Sequence, residues 1–145
     1  MASVVAYTGL GPQIVSIQEN SSATAADWSI GDLVKADGSG ELVIATDGVI
    51  MGIAHKAATG TDNTEIPVEL LNFNEIYVMA YSTVTTEAII GTYADITFTV
   101  GKHVVTDGTA EEDVYIVGLH PDDAVGTDGG RVLVRFDTTA LQLGV

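Results

Sequence analysis

Residues 113–136, DVYIVGLHPDDAVGTDGGRVLVRF, have an echo 66 residues earlier at residues 47–70, DGVIMGIAHKAATGTDNTEIPVEL. Laid over one another without a gap, the two share eight identities in 24 positions, among them Ile50 with Ile116, Gly52 with Gly118, and Gly60-Thr61-Asp62 with Gly126-Thr127-Asp128. Upstream, residues 31–38 (GDLVKADG) match residues 101–108 (GKHVVTDG) at an offset of 70, and a four-residue shortening between the blocks reconciles the two offsets. A chain that repeats turn residues and apolar alternation in this way is one supersecondary module written twice. What the copies share is glycine, turn residues and apolar spacing, the requirements of a fold. The echo constrains architecture before chemistry.

With 145 residues the chain has the length of one domain and can bury a core. Hydrophobic residues make up 46% of it, which argues against disorder despite a formal net charge of −15. Twenty acidic residues stand against five basic ones, so no basic stripe for a nucleic-acid backbone can be assembled. The same imbalance disfavours docking on anionic lipid. Cysteine is absent, which removes disulfides and thiolate metal sites. No basic, apolar leader of signal-peptide type opens the sequence, and no run of about 18 apolar residues could span a bilayer. A soluble protein without an export signal is expected.

Residues 1–26 fall outside the repeat and read as an extended N-terminal arm with one possible edge strand at residues 13–17. Such an arm is either a frayed end or a segment ordered against a neighbouring subunit. Residues 27–145 form the β domain. Its related modules cover about 27–71 and 95–136, with a connector at 72–94 and a tail at 137–145. Asp37-Gly38, Asp47-Gly48 and Asp107-Gly108 are hairpin signals, because Asp-Gly supplies the positive φ that tight turns need. Trp28 and Phe98 take matching places in the two modules. Pro67, lacking an N–H, belongs at a sheet edge or beside a bulge. Residues 87–90 make one helical turn between a threonine cap and Gly91. Some ten short strands with frequent turn signals predict an all-β fold, a compact sandwich or barrel of two related short-strand modules.

Three histidines, His55, His103 and His120, lack the spacing of a metal site and have no nucleophile motif beside them; they read as ordinary surface or loop residues. Asp62, Asp122, Asp123 and Asp128 lie in loops without a Ca²⁺-loop pattern, and solvated acidic turns account for them. No catalytic residue, metal or cofactor is expected. The closing strands differ in one respect: Glu65 and Glu69 of the first copy stand where Arg131 and Arg135 stand in the second. Local cross-strand pairing explains this, or a glutamate strand of one subunit meets an arginine strand of another. With the arm residues Tyr7, Ile14 and Ile17 and the tail residues Leu141 and Leu143, these four are the candidate partner-binding residues.

The order Trp28-x-x-Gly31-Asp32-Leu33-Val34, Asp37-Gly38-x-Gly40, Ala45-x-Asp47-Gly48 and Gly52-Ile53-Ala54 resembles the head decoration (cement) proteins of tailed bacteriophages. The likeness covers mainly residues 27–71. It implies a non-enzymatic virion protein that binds the major capsid protein on the outer surface of an assembled capsid, commonly as a homotrimer, and stabilises the shell. The net negative charge suits such an outer face. The alternatives are another β-rich virion part, associated with a tail or fibre, and a carbohydrate- or Ca²⁺-dependent binding module. A sugar platform would need three or more of Tyr7, Tyr77, Tyr81, Tyr93 and Tyr115 on one exposed face. An enzyme ranks behind both, since no acid–base constellation can be assembled from sequence neighbours.

Overall fold

Alternation puts Ile66 and Val68 on one face of their segment and Val132, Val134 and Phe136 on one face of its repeat partner, and both segments are strands with those residues buried. A computed structural model describes residues 13–20, 24, 26–46, 49–61, 64–72, 74–98, 100, 101 and 103–137. They contain ten strands: β1 (Ile14–Gln18), β2 (Leu33–Ala36), β3 (Leu42–Ile44), β4 (Gly52–Ala54), β5 (Glu65–Leu70), β6 (Tyr77–Tyr81), β7 (Tyr93–Thr97), β8 (Val104–Thr106), β9 (Val114–Leu119) and β10 (Arg131–Phe136). A 3-10 turn at Glu87–Ile89 starts after an extended Thr86 and ends before Gly91, which has φ +83°. The fold is all-β, as the turn spacing predicts.

The strands build two sheets, one ordered β1-β5-β4-β2-β3 and one a closed barrel ordered β10-β6-β8-β7-β9. The barrel closes through a parallel seam, Ala80↔Val104 and Tyr81↔Val105. The first sheet curls until Glu19, just past β1, bridges Leu42 of β3 in parallel. The ladders make these two structures copies. Val68 lies between Val15 and Ala54, as Val134 lies between Tyr77 and Ile116. Val34 faces Gly52 as Ala94 faces Val114, and Ala36 faces Leu42 as Ile96 faces Val105. The seam bridge Glu19↔Leu42 then falls on Tyr81↔Val105. β1 and β6, placed by sequence in the arm and the connector, are the first strands of the two copies.

This pairing corrects the alignment. Val15 to Tyr77 and Gly52 to Val114 are 62 residues apart, Val34 to Ala94 60, Leu42 to Val105 63, and only Val68 to Val134 is 66. The offset of 70 equates β2 with β8, whereas the topology equates β2 with β7 and β3 with β8. Both blocks are a glycine turn feeding a short apolar strand, a composition that fits any strand start. Trp28 and Phe98 are likewise not equivalent: Trp28 precedes β2, whereas Phe98 follows β7, the strand that the topology equates with β2.

Turn chemistry is corrected in detail too. Asp37 does head the β2–β3 hairpin, its Oδ1 accepting the N–H groups of Ser39 and Glu41, but the positive φ belongs to Gly40 (+80°) and not to Gly38. Asp107-Gly108 makes no hairpin, because β8 and β9 flank β7 on opposite sides and never pair. Asp95 folds that loop instead, accepting the N–H groups of Ala110, Glu111 and Glu112. Asp47-Gly48 lies outside the described residues. Pro67 sits in β5 between two neighbours, yet its carbonyl accepts the N–H of His55, one residue past the end of β4. Since N–H and C=O of one antiparallel residue share a side, the missing donor falls where the ladder has already ended.

Trp28, Val34, Leu42, Ala54, Ile66 and Val68 fill the first sheet, and Trp28 Nε1 donates to the Lys56 carbonyl at 3.0 Å. The second core fills the barrel with Val105, Val114, Ile116, Val132 and Val134, and it also takes in Leu33, Ala45, Ile50 and Leu71 from the first copy. In β2 consecutive residues are therefore both buried, Val34 toward its own sheet and Leu33 toward the barrel. Burying Leu33 contributes on the order of 2 kcal/mol that neither copy could obtain alone. The two modules keep separate ladders but share one core.

Candidate functional site: the cleft between the copies

Where the copies meet, two turns face one another. In the first, Gly31 has φ +91° and Asp32 Oδ2 accepts the N–H of Ser29 at 2.9 Å. In the second, Gly101 has φ +72° and donates its N–H to Asp32 Oδ2 at 2.8 Å and Oδ1 at 3.1 Å. The N–H of Leu33 crosses the other way, to His103 Nδ1 at 3.1 Å. The His103 ring stands edge-on to Phe98 at 5.5 Å. Both side chains are closed off, His103 4% and Asp32 5% exposed. His103 lies in the loop before β8, one of the two places expected from sequence, but its side chain is not at the surface. It is packed under the other copy's turn, and its partner Asp32 is 71 residues away in the chain.

The hydrogen bond from Leu33 fixes the protonation state. Nδ1 accepts, so the neutral ring carries its proton on Nε2. Burial pushes His103 below its ordinary value, and the nearby Asp32 carboxylate opposes that shift. Nε2 lies 3.8 Å from Asp32 Oδ1, too long for a hydrogen bond, and is a buried donor without a partner among the described residues. In this state the ring offers Nε2–H as a donor, and its acceptor nitrogen is occupied by the N–H of Leu33.

Beside this joint opens a cleft of about 540 Å³ walled by Ile30, Leu33, Ile53, Met79 and Phe136, with His103 in its lining. Its volume lies within the range of small-ligand sites, about 300–1,000 Å³. Tyr77 closes one side, its ring 5.4 Å from Phe136 and edge-on to it. Ile30 and Val78 line the cleft and are 70% and 51% exposed.

The residues singled out from sequence lie elsewhere. Arg131 forms a two-pronged ion pair with Asp123 (Nε–Oδ2 3.0 Å, Nη2–Oδ1 2.8 Å), which holds the Asp123 carboxyl far below its ordinary value. Glu69 meets His55 Nε2 at 3.1 Å. Glu65 and Arg135 are exposed on β5 and β10, opposite Gln18 and Tyr115 respectively. Ile14 is exposed on β1, whereas Ile17 packs on the first core. Tyr7, Leu141 and Leu143 lie outside the described residues. Asp123 also accepts the N–H of Arg131, Asp62 lies outside the described residues, and no group of three or more His, Asp or Glu among the described residues could hold a metal ion. Of the tyrosines, Tyr93 and Tyr115 pair edge-on at 5.2 Å, Tyr77 lines the cleft and Tyr81 is buried, so no three of the described ones share an exposed face. Asp32, His103 and Gly101 were not legible as a site, because their meeting depends on the contact between copies.

No protein-family model matches this chain, and comparison with curated proteins and with solved structures returns no match.

Proposed function

We propose that the protein is a non-enzymatic structural component of a virion, a decoration or cement protein that binds the outer surface of an assembled capsid and stabilises it. Its partners in this reading are the major capsid protein and further copies of itself in a homotrimer. The observation that carries the reading is the fusion of two β modules through one core, which makes a stiff brace, joined to the resemblance of residues 27–71 to phage cement proteins. A net charge of −15 fits a surface facing away from packaged nucleic acid. Exposed apolar side chains such as Ile14 and Ile30 offer area for contact between proteins.

The test is to mix the purified protein with expanded capsids and measure binding against concentration. Saturable, stoichiometric binding that raises the capsid's resistance to heat or chelation is expected, and a failure to bind any capsid overturns the proposal. Removing residues 1–12 is expected to weaken binding while leaving the β-sheet circular dichroism unchanged. Unchanged affinity in that variant removes the arm from the interface. Sedimentation of the free protein tests the trimer separately.

A further inference from the structure

We propose that Ile90, Tyr93 and Tyr115 form a self-association surface, which docks on the first module of a second molecule at Val15, Ile17 and Leu70. The contact repeats, between chains, the one that joins the two modules within a chain. It rests on the duplicated fold and does not depend on the capsid reading.

The register of the repeat carries the inference. Gly31 donates to the Ala54 carbonyl at 2.8 Å, and Ala54 donates to the Asp32 carbonyl at 2.9 Å. Gly91 donates to the Ile116 carbonyl and Ile116 to the Thr92 carbonyl at the same two distances. Both glycines have positive φ, +91° and +83°. Leu33 pairs with Ile53 as Tyr93 pairs with Tyr115. Ile30-Gly31-Asp32-Leu33 therefore falls on Ile90-Gly91-Thr92-Tyr93, and Ile53 on Tyr115. In the first module Leu33 and Ile53 pack on the barrel, with Ile30 in the lining of the cleft. In the second module the same positions lie open: Ile90 and Tyr93 are each 43% exposed and Tyr115 is half-buried.

The receiving surface follows from the same register. Leu33 and Ile53 share a core with Tyr77, Met79 and Phe136 of the barrel. The ladders place Val15, Ile17 and Leu70 at those three positions in the first module, and all three are half-buried. Each chain thus uses one copy of either face internally and keeps the other of each. A contact between unlike faces closes into a ring or runs on as a filament. Tyrosine suits it, being enriched in the centres of protein interfaces. Two differences set its strength. Glu112 stands where Ile50 does, and Asp137, which donates to the Asp113 carbonyl as Leu71 donates to that of Met51, stands where Leu71 does. An acidic rim and a net charge of −15 oppose association, so it is reversible and strengthens with salt.

Sedimentation over a range of protein and salt concentrations reads the association. The full chain is expected to gain mass with both, and Tyr93→Asp, a change at an exposed side chain, to weaken association roughly tenfold or more. Crosslinking reads which faces meet, and it is clean because the chain has no cysteine. Ile90→Cys and Ser16→Cys lie at the equivalents of Ile30 and Val78, which line the cleft together. Both side chains are exposed, so neither change disturbs the core. A flexible bis-maleimide should join the two variants when they are mixed, and join either one to itself far less. A parent chain that stays monomeric throughout, or a Tyr93→Asp variant that associates like the parent, overturns the proposal. Crosslinking of Ile90→Cys to itself in excess of the mixed product overturns it too, in favour of a face-to-face dimer. Failure to bind capsids bears on none of these readouts.

Discussion

Gly52→Ala is expected to lower the unfolding free energy by about 3 kcal/mol, the upper part of the range for an overfilled site. A Cβ built on Gly52 would stand 2.2 Å from the Glu69 carbonyl oxygen and 2.7 Å from Val68 Cγ1. The first of these is backbone in the neighbouring strand β5, so no rotamer change can relieve it. β4 is held in register on both sides, Gly52 opposite Leu70 in β5 and opposite Val34 in β2. Moving it disturbs both ladders at once. Gly118 provides the control. It is the residue aligned with Gly52 by the 66-residue echo, yet its added Cβ would meet only Leu133 Cδ1 at 3.7 Å, an ordinary contact. Gly118→Ala is therefore expected to stay within about 1 kcal/mol of the parent. Urea unfolding of the two variants separates the accounts: equal losses would favour the sequence alignment over the strand registers.

That contrast marks how far the sequence could be read. Apolar alternation located β5, β9 and β10, because strands buried on one face leave a period-two trace. It also revealed the duplication, because β5 and β10 with the loops before them keep one spacing. It matched the other strands of the two copies wrongly, since β2 and β7 lead into connections of different length and each shift of register is silent in a pattern of small apolar residues. Asp-Gly pairs pointed to turns and missed their geometry. The carboxylates of Asp37 and Asp95 decide those loops, and acceptor geometry is not written in a dipeptide. Glu19 shows the same limit. It is fully buried and holds the Thr59–Gly60 loop through Thr59 N–H, Thr59 Oγ1 and Gly60 N–H, while Tyr81 occupies the corresponding seam position in the barrel. A charged residue and an aromatic one solve one structural problem, so no repeat alignment links them. The cleft was out of reach for a further reason: its polar residues come from turns 69 and 71 residues apart, and its walls exist only once Leu33 and Ile53 have packed across the copies.

Asp32→Ala is expected to cost about 3 kcal/mol, because it strips the acceptor from two backbone donors, Ser29 N–H and Gly101 N–H, at a closed joint. The consequence reaches His103 as well. Burial lowers the His103 pKa and Asp32 raises it, so removing the carboxylate leaves burial unopposed and the imidazole titrates lower still. NMR titration of His103 in Asp32→Asn reads that shift directly, and an upward move would contradict the joint as described. The wild-type direction also sets a pH dependence. With the folded pKa below the ordinary histidine value of about 6.5, the unfolded chain takes up a proton first as the pH falls. The stabilisation is then complete above about pH 6.5 and is lost as the pH drops toward the lowered folded value. Protonation at Nδ1 would also set an N–H against the N–H of Leu33 and open the bond that crosses between the copies. His103→Asn places a non-titrating oxygen near the position of Nδ1, so its urea midpoint should change less than the wild-type midpoint between about pH 7 and 5. His55 and His120 are common to both proteins, which leaves His103 as the source of the difference. Parallel pH curves for the two would show that the joint does not sense this proton.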